Sequence, residues 1–521
     1  MDDSTITFVV LGAVVALFVW DRLPVAIVAI GVALSLWATG VLSLDEALGG
    51  FGDPTVLFIA SLFVVSEALD ASGVTAWVGQ ELVTHVGDSR TKLIVYTMAL
   101  VALLTALINV NGAVAALVPV AVVMAVRTGR SPSQLLLPLA FGAHAGSLLA
   151  LTGTPVNVIV SEAAANAGVG TFGFLEFALV GVPLTLGVIL IVVLFGERLL
   201  PVRHPRSIAP DFSGHARTLI EQYELDHPAD SLMTRRYGVA EVVIPPRSQL
   251  AGDRVFPGMI TASGDLAILA VQRGGDDTGP GETVLAEGDT LLLQGSWAAL
   301  DSNLDDPEVL VVDAPDVVRR QAVPLGAGAR TALVVLLAMV VALATGAVPP
   351  AVAGLSAACL MILLGVLTVE QAQRGISWTT VVLVGGMFSL SGAMVSSGAA
   401  AKLADALVDV VGDAGPHALL LGLFVLTAVL GQLISNMATA LIVIPIALSA
   451  AADMDVSAKP VLMAVTVSAA AAFLTPVATP ANLMVMEPGG YRFGDYWKLG
   501  LPLLALFGVV AVLLVPVFWS F

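Results

Sequence analysis

The sequence holds one cysteine, Cys359, in 521 residues, so an intrachain disulfide and a thiolate metal cluster are both excluded. Lying in an apolar run, that cysteine is expected to serve packing. Charge is equally scarce: 12% of residues are Asp, Glu, Lys or Arg, against ~25% in an average soluble domain. With a mean hydropathy of +0.95, this excludes an ordinary soluble enzyme. Excess basic charge is also missing. The net charge is −18, and residues 207–318, with 19 acidic and 6 basic side chains, supply −13 of it. The acidity therefore belongs to a water-exposed segment and argues against nucleic-acid binding. No basic region precedes the first apolar run, so a retained first helix is expected in place of a cleaved signal peptide.

What is present is a series of apolar runs long enough to span a membrane, and the series occurs twice. Pro24 recurs as Pro349, Asp45-Glu46-Ala47 as Glu370-Gln371-Ala372, Ser72-Gly73 as Ser397-Gly398, Asn111 as Asn436, and Thr154-Pro155-x-Asn157 as Thr479-Pro480-x-Asn482, all at an offset of 325. Residues 91–126 and 416–452 are apolar runs interrupted midway by Asn109-Val110-Asn111-Gly112 and by Ser435-Asn436-Met437. Each reads as a re-entrant helical hairpin. Residues 133–166 and 457–487 carry the Thr-Pro-x-Asn motif at their centres. Each reads as a helix broken at mid-membrane, since proline cannot donate its backbone hydrogen bond and restrains the residue before it. Such irregular backbone is tolerated at that depth only when it is buried in protein or lines a cavity.

The expected fold is an α-helical polytopic membrane protein, an inverted repeat of five spans plus one re-entrant hairpin in each half. The first membrane repeat covers 1–200 and the second, inverted one 326–521. Placing the intervening segment in the cytoplasm puts fourteen basic residues inside (Arg22, Arg90, Lys92, Arg127, Arg130, Arg198, Arg203, Arg206, Arg319, Arg320, Arg330, Arg374, Arg492 and Lys498) and two, Lys402 and Lys459, outside. Both termini then lie outside, and a multi-pass prokaryotic plasma-membrane protein in contact with lipid is expected. The insert, 207–318 with a core of 237–304, changes period to short β-rich runs at 239–244, 266–272 and 290–294 separated by turns such as Arg273-Gly274-Gly275-Asp276. A small α+β domain is expected there, without a phosphate-cradling loop, metal cluster or nucleophile motif.

Inverted repeats with broken helices carry their binding site at the repeat interface. Half-helices starting at Asn111, Pro155, Asn436 and Pro480 aim N–H groups and positive dipole ends into that site, which favours an anion. Carbonyls before Thr154 and Thr479, with the Asn111 and Asn436 side-chain oxygens, suit a hard cation such as sodium. At these residues the chain resembles the divalent-anion:sodium symporter family of the ion transporter superfamily. The resemblance covers about 400 residues. It implies substrate contacts at Asn111, Gly112, Thr154, Pro155, Ser435, Asn436, Met437, Thr479 and Pro480. It implies sodium ligands at Asn109, Asn111, Gly153, Asn436, Thr439 and Ala478. Where the family has hydroxyls at its tips this chain has Val110, Gly112 and Met437, with Asn109 and Thr439 nearby as replacements for the lost polarity. The insert resembles the C-terminal regulatory domain of potassium-transport proteins, which implies a homodimer and a small regulatory ligand such as a cyclic dinucleotide or other nucleotide.

Sodium-coupled import of sulfate or a dicarboxylate by an elevator-type movement follows, with Na+ as coupling ion, no cofactor and no enzymatic activity. The alternatives are a cation/proton antiporter, with Glu67, Asp70, Glu162 or His144 as proton carriers, and an anion-efflux permease. His144 is read first as a packing histidine, and intramembrane acids remain functional candidates.

Overall fold

In the computed structural model the described residues are 2–521 except 21, 76, 78–88, 129, 204–214, 224–231, 235–236, 280, 305–307, 314, 316–317, 319–324, 327, 412–413 and 477. Of the expected cytoplasmic charges, Arg206, Arg319 and Arg320 lie outside them. Two compact units emerge. One comprises Met1–Glu67, Leu82–Ala209 and Val334–Phe521, and the other Ala68–Glu81 and Pro210–Leu333.

The first half begins with α1 (Asp3–Trp20), α2 (Val25–Ala38), α3 (Leu44–Gly49) and α4 (Pro54–Ala71). A hairpin of α5 (Arg90–Ile108) and α6 (Val110–Arg127) follows, then a broken helix whose pieces are α7 (Leu136–Gly146) and α8 (Pro155–Asn166), then α9 (Ala178–Leu199).

The second unit carries α10 (His215–Gln222), strands β1 (Tyr237–Val243), β2 (Arg254–Val255), β3 (Leu266–Arg273), β4 (Asp276–Asp277), β5 (Thr283–Val284) and β6 (Thr290–Ser296), helix α11 (Trp297–Asn303) and β7 (Leu310–Val311). Its sheet runs β4-β3-β6-β1-β7, with every pairing antiparallel, and β7 extends it beyond residue 304 by pairing Leu310 with Val243. The β3–β4 turn has Gly274 and Gly275 at φ of 63° and 95°, the left-handed pair that a two-residue hairpin needs. Inward-facing Val242, Ile268 and Leu293 pack with Trp297 and Leu300 of α11 into one core.

Asp289 is the polar pin of this unit. Its side chain is 0% exposed, takes Nε and Nη2 of Arg273 at 2.7 Å each, and accepts the Ala286 N–H at 2.7 Å. The hydrogen-bonded guanidinium holds the carboxyl below its usual value of 3.8. A carboxyl whose folded pKa is depressed stabilises fully above its unfolded pKa and loses that contribution as pH falls through the folded value. The insert should therefore become protease-sensitive below about pH 4. Asp289→Asn should make it so at neutral pH, at a cost of about 2 kcal/mol. Equal digestion of wild type and variant at pH 7 would refute the role.

The second half repeats the first: α12 (Ala329–Thr345), α13 (Pro350–Leu363), α14 (Val369–Gly375), α15 (Trp378–Ser396), a helix not expected from the sequence, α16 (Ala399–Val411), the hairpin α17 (Pro416–Leu433) and α18 (Asn436–Asp453), the broken helix α19 (Ala458–Ala470) and α20 (Pro480–Met486), and α21 (Tyr496–Val509). Among the described residues seven helices are long and apolar enough to cross a membrane, with shorter apolar helices between them. Cys359 is exposed on α13.

Local chemistry is duplicated with the sequence. Ser43 forms a capping box with Glu46, and Thr368, 325 residues on, forms one with Gln371. Gly40 and Gly365 end equivalent helices at φ of 78° and 72°. A Cβ on Gly386 would come within 2.5 Å of the Ala29 carbonyl, and one on Gly354 within 2.1 Å of Ser61 Oγ. Ala29 corresponds to Gly354 and Ser61 to Gly386, so a contact maps onto its own exchange partner. That is the signature of a two-fold relation between the halves.

Candidate functional site

Each hairpin tip is a helix start. In the second, Ser435 Oγ accepts the Ala438 N–H at 3.3 Å, an ordinary N-cap. In the first the equivalent residue, Val110, has no oxygen to offer. The cap moves back one position to Asn109, whose Oδ1 accepts the Gly112 N–H at 2.9 Å. Its backbone pays with a φ of 113°, and its Nδ2 donates to Ser66 Oγ at 3.2 Å.

The two helix breaks are held open by their asparagines. Asn157 Nδ2 donates to the Ser147 and Ala150 carbonyls at 2.8 Å each. Asn482 Nδ2 donates to the Ala472 and Thr475 carbonyls at 2.7 and 3.0 Å. These are the same pairs shifted by 325. Each break frees carbonyls, and one buried amide satisfies two of them. Thr154 and Thr479 cap the helices that restart after the breaks. Gly153 approaches so closely that a Cβ would lie 2.3 Å from the Ser147 oxygen. Its counterpart Ala478 meets no such barrier. Sequence reasoning missed Gln432, which braces the second break by donating to the Ala471 carbonyl at 3.2 Å and accepting the Leu474 N–H at 3.0 Å. An isolated glutamine in an apolar run was the available signal.

Both tips and both breaks line one cavity of about 100 Å³. Asn109, Asn111, Gly153, Thr154 and Pro155 reach it from the first half, and Ser435, Asn436, Met437, Ala478, Thr479 and Pro480 from the second. Gly112 and Thr439 are not among its lining residues. Gly112 instead faces Ser66 and Asn109, and Thr439 is buried with its hydroxyl unpartnered. Helices α6, α8, α18 and α20 all begin at this cavity, so backbone N–H ends converge on it. Among the described residues His144 is its one titratable lining residue, and no Asp, Glu, Lys or Arg lines it. Among the described residues, Asn157 Oδ1, Asn436 Oδ1, Thr439 Oγ1 and Thr475 Oγ1 are buried oxygens without a hydrogen-bond partner. Glu162 lines a separate cavity of about 630 Å³ with Pro54, Phe172 and Pro349. Asp70 accepts the Thr75 hydroxyl at 2.6 Å, and neither it nor Glu67 lines the central cavity.

A family model described as citrate transporter matches residues 15–467 and 411–521. The chain belongs to the citrate transporter family. Among relatives in this group, YfbS, a transporter of Escherichia coli strain K12, is 29% identical over 98% of this chain and 98% of its own length. Sodium/sulfate cotransporter 1 of Chlamydomonas reinhardtii is 26% identical over 56% of this chain and 34% of its own. The crystal structure of the YdaH transporter from Alcanivorax borkumensis, 14% identical, superposes with a TM-score of 0.52 over 97% of this chain and 98% of that one, a likeness of fold. The protein is thus a multi-pass membrane protein of a transporter family, as the resemblance to the divalent-anion:sodium symporters implied.

Proposed function

We propose that the protein imports a small divalent oxyanion of the sulfate class, driven by sodium. The observation that carries this reading is the central cavity: converging helix N-termini, with no charged side chain lining it among the described residues, favour negative charge. The name of the Chlamydomonas relative adds support. Sodium is a hard cation that takes oxygen ligands, and Asn436 Oδ1, buried and unpartnered among the described residues, offers one from a residue that lines the cavity. In purified, reconstituted protein, labelled sulfate should accumulate under an inward sodium gradient and not under a proton gradient alone, with excess citrate competing weakly. Uptake indifferent to sodium would end the reading, and sodium-stimulated exit would favour the efflux alternative.

Transport proceeds by movement of each hairpin with its broken helix against the remaining spans. The segment after α9 is tied down on two sides: Arg203 makes a bidentate pair with Asp495, just before α21, at 3.1 and 3.0 Å, and its N–H donates to Ser133 Oγ, at the start of the first broken helix, at 2.9 Å. Within the other unit, Gly326 N–H donates to the Ser72 carbonyl at 2.8 Å. A cytoplasmic insert, 207–318, between two such anchor points senses a small ligand such as a cyclic dinucleotide and pairs two subunits. Its orientation is tested by labelling. In a Cys359→Ser background, Asp2→Cys and Asp455→Cys should react with an impermeant thiol reagent from outside, and Gln249→Cys only from the cytoplasm. All three parent residues are exposed, whereas Ser4, the obvious amino-terminal choice, is 1% exposed. Outside labelling at position 249 would invert the topology.

A further inference from the structure

The two halves differ at one buried position that the symmetry makes conspicuous. His144 of α7 reaches across to the second break, with Nε2 at 3.1 Å from Asn482 Oδ1 and 3.1 Å from Thr479 Oγ1. Its counterpart, 325 residues on, is Ala469, so Asn157 Oδ1 has no such partner and, among the described residues, is left without one. The proton arrangement around His144 follows from the acceptors. Asn482 gives both amide hydrogens to carbonyls, which turns its Oδ1, an acceptor only, toward the imidazole. Nε2 must then carry a hydrogen, whether the ring is neutral or charged. A protonated Nε2 cannot accept from Thr479, whose Oγ1 already accepts the Asn482 N–H at 3.3 Å. The hydroxyl proton of Thr479 is therefore left to point elsewhere, and Thr479 lines the central cavity.

We propose that His144 is a positioning residue for the transported anion: its Nε2–H is given to Asn482 Oδ1 and so cannot accept from Thr479, which leaves the Thr479 hydroxyl to donate into the cavity and makes the second half-site an anion donor. In the first half-site Thr154 lacks this constraint, accepting only the Val156 N–H at 3.5 Å, and the orphaned Asn157 oxygen marks that side as the one short of a donor. The geometry thus divides labour between repeats whose backbones are alike. The anion reading supplies the ligand here, and the tautomer assignment stands independently of it.

The test measures sulfate uptake by His144→Ala, His144→Gln, Thr479→Val and the double variant His144→Ala/Thr479→Val in proteoliposomes, with apparent melting temperature as a folding control. Glutamine places an amide N–H near the position of Nε2 and cannot titrate. His144→Ala and Thr479→Val should each raise KM about 10-fold or more with kcat nearly unchanged, and the double variant should be no worse than Thr479→Val, because both remove one donor. His144→Gln should recover most of the loss. Multiplying defects in the double variant, or a stable His144→Gln as impaired as His144→Ala, would overturn the proposal. If wild type moves no sulfate, the functional reading fails, and ¹⁵N-histidine NMR still decides the inference. The resonance lost in His144→Ala should belong to a ring protonated at Nε2, and a neutral ring protonated at Nδ1 would refute it.

Discussion

Asn482→Leu should be among the most damaging single substitutions in the membrane part. The leucine strands the Ala472 and Thr475 carbonyls and removes the acceptor of His144 Nε2, all at a residue that is 0% exposed. An unsatisfied buried polar group costs about 1–3 kcal/mol, and three of them sum to ~3–6 kcal/mol after partial relaxation. Asn157→Leu removes the equivalent two bonds but no histidine contact, so it should fall short of Asn482→Leu. Thermal unfolding of the purified protein in detergent checks both size and order. A melting temperature equal to wild type for Asn482→Leu would mean that the breaks are not held by these amides. Asn482→Leu outliving Asn157→Leu would remove the cross-repeat bond from the account.

Asn436→Ala should do the opposite, sparing the fold and stopping transport. Its side-chain oxygen is buried yet has no hydrogen-bond partner among the described residues, and the residue lines the cavity. Truncation leaves no new orphan behind, so the melting temperature should stay near that of wild type. Sodium-dependent uptake should fall at least ~10-fold, equivalent to losing about 1.4 kcal/mol of binding. Asn111→Ala should share the transport defect, since Asn111 lines the cavity from the opposite tip. Wild-type uptake in both variants would take the tips out of the site. The contrast between positions 436 and 482 is the sharper test. Two asparagines of the second half should show separate signatures, one in transport and one in stability, because only one of them has its hydrogen bonds already made.

The sequence by itself determined the repeat, both hairpins, both breaks and the place of the insert. These are local matters: proline removes a donor wherever it stands, asparagine interrupts an apolar run wherever it stands, and the 325-residue offset states each fact twice. The β runs were legible for the same reason, with Leu266–Arg273 and Thr290–Ser296 only slightly longer than the expected strands. The first tip was half legible. The polarity of Asn109 was visible, but its use as the N-cap in place of Val110 depends on a backbone turn at φ 113° that no pattern announces.

Only the tertiary structure decided that four motifs meet at one small cavity, and that among the described residues no carboxylate lines it although Glu67, Asp70 and Glu162 lie in the apolar runs of the first half. It also placed His144, which sequence alone assigns most naturally to packing, beside Asn482 and Thr479. The physical reason is separation along the chain. His144 and Asn482 are 338 residues apart, and hydrogen-bond pairing over such a distance follows from the two-fold packing of the halves, whereas capping boxes and helix breaks follow from residues a turn or two away. Symmetry in the sequence set the frame, and the position where it fails, histidine against alanine, acquires meaning only when the partners across the cavity are in place.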